Sequence, residues 1–248
     1  MPIVAADLIA FSPLNRPEDD TSTGGGGRDV DHRPAFTQLA ANDDIEVVSD
    51  NAVDTTQVVT VDGRDATGAF VTATATLNGL SAVILSPATV YERALSAIMD
   101  ADAVGIVTVR REAAAGDLAN IPIGERGFSA LFIKSASEAS PATRYDKFFW
   151  LNNHGTLSLT TAQVQTTVDP AAVIRQGVHT AKDDTATIAN RKTAPAGVTF
   201  VADSVQQAVP TNTLAAGEAI GIWIEQALAA DNAPVRSTFT HELAGETT

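Results

Sequence analysis

Thirty acidic residues, four histidines and no cysteine define the chemistry open to this chain. Without cysteine there is no disulfide, no thiolate nucleophile and no thiolate-bound zinc. His32, His154, His179 and His241 lack any His-x-x-x-His spacing; His154 precedes Gly155 at a turn, where a bond to the backbone is expected. Acids cluster as Asp43, Asp44 and Glu46, as Asp50 and Asp54, as Asp62 and Asp65, and as Asp183 and Asp184. Calcium needs roughly six to eight oxygens converging on one point. No Asp-x-Asp-x-Asp-Gly loop provides them, so these acids read as turn residues and surface charge. A nucleophile elbow, Gly-x-Ser-x-Gly, fails at its last position in Gly127-Phe128-Ser129-Ala130-Leu131. Paired carboxylates of a glycosidase carry no local motif. However, Trp150, Trp223, Tyr91, Tyr145 and nine Phe are few aromatics for a sugar cleft. Gly24–Gly27 runs into Arg28-Asp29-Val30-Asp31 without the Gly-Lys-Ser/Thr of a phosphate loop, and reads as a flexible linker. The chain is therefore expected to be no enzyme, with no catalytic residue, no metal and no cofactor.

The elements that would position any site are strands. Apolar residues at helical spacing over a dozen positions are almost wanting, whereas short alternating runs between turn residues recur. Ile45–Val48 ends at Ser49-Asp50-Asn51. Gln57–Asp62 and Ala69–Leu77 flank Gly63–Gly68 as a hairpin. Gly105–Arg110 faces Leu118–Ile123 across Ala113–Asp117. Tyr145–Leu151, Thr156–Val168, Val173–Thr180, Val198–Ala202, Ala219–Ile224 and Arg236–Glu242 continue the pattern. Asp169-Pro170 and Ala194-Pro195 mark strand breaks. Val90–Met99 fits either a short helix or a strand.

The fold class expected is all-β: two β-sandwich modules, Ig-like or jelly-roll-like, at 45–124 and 125–248, with Gly124-Glu125-Arg126-Gly127 as the boundary. Residues 1–44 hold Pro13, Pro17, Pro34 and the glycine run, yet also Ile3, Val4, Leu8, Ile9, Phe11 and Phe36. An extended arm that packs these on a neighbouring subunit reconciles the two facts; a first strand followed by a disordered loop is the alternative. Phe148-Phe149-Trp150 is the most aromatic spot, with Phe148 and Trp150 on one face. Core is the plain reading. Phe149, on the other face, joins the six arm residues as a candidate subunit or capsid contact.

Charge narrows the partners. Sixteen Lys and Arg against 30 Asp and Glu leave a formal −14 and a pI near 4.5. This argues against nucleic acid, whose phosphates require a basic face, and against anionic membranes. Runs such as Ala219–Ile224 fall far short of the roughly 18 apolar residues of a membrane helix. Met1–Asp7 lacks the basic start of a signal peptide, so a soluble protein made in the cytoplasm is expected.

Several stretches together resemble structural proteins of tailed-bacteriophage and prophage virions. They are Asp19–Gly25, Ile45–Asp50, Thr55–Gly63, Leu77-Asn78-Gly79, Ile123–Phe128, Lys147–Leu157, Asp184–Arg191 and Thr193–Phe200. The resemblance implies a non-enzymatic, multicopy particle protein, with a head decoration or cement protein as first reading. A neck, tail or baseplate protein and a host-surface or glycan-binding module are the alternatives. It implies other virion proteins as partners, the major capsid protein first, together with homo-oligomerisation and location in the virion.

Overall fold

The computed structural model describes residues 2–15, 23–28, 32–33, 39, 41–114, 116–129, 140–169, 173–230 and 239–247. Strands dominate, the helical segments are single 3-10 turns, and the protein is all-β. No helix among the described residues is long and apolar enough to cross a membrane. The chain divides into two units: Asp31–Ala136, and Met1–Val30 together with Ser137–Thr248.

The 31–136 unit is a sandwich. One sheet has the order Asp117–Ile121, Val107–Arg111, Ile45–Ser49, Val83–Ile84. The other runs His32–Arg33, Gly127–Ser129, Tyr91–Met99, Val58–Asp65, Phe70–Thr76. Alternation explains the layering: Val59 and Val61, Ala73 and Ala75, and Val107 and Val109 point inward from their strands and share one core with Tyr91 and Phe128. The expected hairpin forms with Val58 opposite Thr76 and Arg64 opposite Phe70. Pairing continues through Gly63, Arg64 and Asp65, so the connection is tighter than the sequence spacing implied. Tyr91–Met99 is a strand; its central position, paired on both edges, resolves the helix-or-strand ambiguity.

The second unit is built on a central sheet ordered Leu8–Phe11, Ala142–Asn152, Ala219–Leu228, Ile174–Val178, Thr199–Val201. Both of its faces are covered. One carries Leu159–Val168 with its partners Gln207–Ala208, Thr213–Leu214 and Thr240–Thr247; Gln176 from the central sheet bonds Val164 O and Thr166 Oγ1 across this gap. The other carries a small sheet ordered Thr187–Ile188, Gly24–Arg28, Pro13–Asn15.

Three expectations change. The division falls at 31 and 136 rather than at 45 and 124, because Gly127–Ser129 pairs with Tyr91–Met99 and keeps the expected boundary inside the first sandwich. The N-terminal segment is no arm reaching away from its own subunit: Leu8–Phe11 pairs antiparallel with Ala142–Asn152, Phe11 opposite Phe149. Nor is the glycine run a linker; Gly24–Arg28 is the middle strand of its sheet.

Candidate functional site

Of the proposed contact residues, Phe11 and Phe149 are buried and pack with Leu151 and Ala219, with Ile9 against them. Phe149 is 0 % exposed. It presents no surface to a partner, because the sheet that carries it is covered on both sides. Leu8 and Ile3 are half-buried and Val4 is exposed. Phe36 lies outside the described residues. Trp223, one of the few aromatics a glycan could stack on, is fully buried.

What Phe149 and Trp223 enclose is a cation. Lys147 is 0 % exposed. The alternation that hides Phe149 places Lys147 on the same face, opposite Trp223 on the neighbouring strand. Its Nζ lies 4.6 Å from the Phe149 ring centre and 5.0 Å from that of Trp223. It donates to Asp184 Oδ2 at 2.6 Å, to Asp184 O at 2.9 Å and to Gly26 O at 3.3 Å. Trp223 Nε1 donates to the same Asp184 Oδ2 at 3.3 Å, and Ala186 N to Oδ1 at 2.7 Å. Burial draws the ammonium below its ordinary value, against the opposing bond and charge of Asp184. The glycines are what let the cage close. Gly25 and Gly26 have φ of +85° and +99°. A Cβ on Gly25 would stand 2.7 Å from both the Trp223 ring and Ala186 O, and one on Gly26 would run into the Asn15 amide. Reading the run as a linker missed this; the signal available was the run's proximity to apolar Ile9 and Phe11, since covering a core demands small residues at close approach.

The acid clusters are likewise held by the protein's own donors. Asp54 is 0 % exposed. Its carboxylate accepts from Ser49 Oγ at 2.6 Å, Val104 N at 2.8 Å, Gly105 N at 3.0 Å and Gln57 Nε2 at 3.3 Å. Burial pushes its acidity the other way, but these four donors outweigh it and hold the carboxyl below its ordinary value. Asp65 caps its own turn through Thr67 and Ala69. Asp43 pairs with Arg111, and Glu46 with Arg110. No group of three or more metal-binding side chains occurs among the described residues. His154 Nδ1 accepts from the Thr156 and Leu157 amides, as its turn position implied. His241 is instead half-buried, its Nδ1 accepting from Trp150 Nε1 at 2.9 Å with the two rings edge to edge; burial pushes its pKa down to about 3.

Asp54 has a further effect: it ties together the loops at one end of the 31–136 sandwich. Besides Val104 and Gly105, its own carbonyl accepts from Gly79 N at 2.7 Å, and Gly79 O accepts from Ser49 N at 3.2 Å. Asp50 exchanges bonds with Ile106, accepting its amide at 2.8 Å and donating to its carbonyl at 3.0 Å. On these loops stand Val53 and Leu80, each 65 % exposed, and Val104 at 56 %.

The chain matches no protein-family model, no curated protein and no solved structure.

Proposed function

We propose that the chain is a non-enzymatic structural protein of a tailed-phage virion, a decoration or cement protein that binds the capsid lattice and stabilises the head. The observation that carries this reading is where the ionisable groups are spent. Asp54, Asp65, Asp184, Asp43 and Glu46 are committed to loop amides or to neighbouring cations, and Lys147 is sealed beneath two aromatic rings. Groups so used hold loops and layers in place, which is what a particle protein under mechanical load requires. The stretches that resemble virion proteins, Lys147–Leu157 and Asp184–Arg191 among them, include the two residues of the buried ion pair. The acidic charge complements a basic lattice surface.

Immunogold labelling of purified particles tests the reading. Gold scattered over heads is expected. Gold confined to the neck or tail would transfer the protein to a ring or baseplate role. Unlabelled particles, with none of its peptides in the mass spectrum of disrupted virions, would overturn the virion assignment.

A further inference from the structure

Among the described residues, the two ends of the 31–136 sandwich differ. At the end tied by Asp54 the loops 49–57, 77–82, 99–106 and 122–126 present Val53, Leu80, Val104, Ile106 and Ile123, with exposures from 39 % to 65 %. At the opposite end, among the described residues of loops 65–69, 86–90 and 111–116, Val90 is the one exposed large apolar side chain. Single exposed apolar residues need no explanation, but a group of five at one end does. These loops are not slack. Asp54 joins three of them, Gln57 Nε2 donates to Asp102 O at 3.0 Å, Asp100 Oδ1 accepts from Val58 N at 2.8 Å, and Arg126 pairs with Asp102 at 2.8 Å. An apolar surface held in one conformation loses little entropy when it binds.

Charge selects the occupant. The four loops carry five Asp or Glu and one Arg. Asp50 and Asp100 are exposed, and the Asp102 side chain is 62 % exposed. Two copies meeting through this end would oppose like charges, and an anionic lipid surface would repel it. We infer that this loop end is a docking surface for a partner protein that presents an apolar patch rimmed by Lys or Arg. The inference deepens the particle role proposed above by naming the contact surface and the chemistry of what it contacts. The apolar side chains supply the desolvated centre, while the acidic rim sets orientation and association rate.

Photo-cross-linking in cells that natively make the protein tests it. Benzoylphenylalanine is placed at Val53 or Leu80, and at Ala66 on the opposite end as control. Expected are cross-links from positions 53 and 80, sequenced by mass spectrometry to one other protein at a segment containing Lys or Arg, with position 66 silent. With that partner purified, Leu80→Asp should weaken binding at least tenfold, and raising NaCl from about 0.05 to 0.5 M should weaken it further through screening. Leu80 is exposed, and an unchanged circular dichroism spectrum checks that the variant is folded. Cross-links to a second copy, silence at 53 and 80, equal yield at 66, or salt-independent binding would each overturn the docking surface. A cross-linked partner that is absent from virions would overturn the virion reading and leave the surface standing. Gold on heads with silent positions 53 and 80 would do the reverse.

Discussion

Lys147 and Asp184 illustrate how a charged pair belongs in a core. The ammonium gives up water for a carboxylate, backbone carbonyls and two ring faces. Removing one partner leaves the other buried without its counter-charge, which typically costs about 3–5 kcal/mol. Lys147→Ala and Asp184→Ala should each lower stability by that order, read from the urea midpoint of the unit that contains them. His241 adds a pH signature. Its folded pKa lies near 3, below the 6.5 of the unfolded chain. Between those values the unfolded state takes up a proton that the folded state refuses, so the stability that neutral His241 contributes is lost as pH falls from about 6.5 toward 3. Urea titrations at pH 7 and pH 5 should show the loss, and His241→Gln, which keeps an acceptor for Trp150, should flatten that part of the profile. Neither role could be read from Lys147 or His241 in isolation. A lysine between Asp146 and Phe148 looks like any alternating polar position until the opposite face is known to be covered.

At the scale of elements, the glycine strand is the clearest case. Gly25→Ala must accommodate both a positive φ and a ring 2.7 Å away. Strain of this kind is of order 1–3 kcal/mol, with the steric clash added. The expected outcome is a lowered melting temperature together with a changed Trp fluorescence spectrum, since Trp223 must shift to make room. Two strands of the 31–136 sandwich were readable because each has one buried face: Val58–Asp65 and Phe70–Thr76 alternate, and their pairing follows directly. Ala142–Asn152 was also recognisable as a strand, but its two faces are both aromatic. Phe148 contacts His241 while Phe149 covers Lys147. Aromatics on both faces are the mark of a doubly covered strand, and reading Phe149 as a contact residue overlooked that mark.

For the whole molecule, the unit boundaries make a direct prediction. Residues 31–136 expressed alone should unfold cooperatively with a β-type circular dichroism spectrum, because both sheets and their shared core lie within them. Residues 125–248 alone should not. They lack Leu8–Phe11, Pro13–Asn15 and Gly24–Arg28, and thus leave Phe149 and the Lys147 cage uncovered. Adding residues 1–30 as a separate peptide should restore structure, which nuclear magnetic resonance would detect as dispersion of the Trp223 indole signal.

The all-β class, most strand positions and the acidic character were legible in the residues, because period-two alternation, turn chemistry and charge are local properties that survive without a partner element. Pairing across long separations was not. Leu8–Phe11 meets Ala142–Asn152 over more than a hundred residues, and nothing in either segment names the other. That pairing turned an expected arm into an edge strand; other long-range contacts made the glycine run a close-packed cover and Asp54 the tie of an exposed loop end. Each depends on which surfaces exclude water from one another, and burial is decided by the tertiary arrangement of layers rather than by the residues of any one strand.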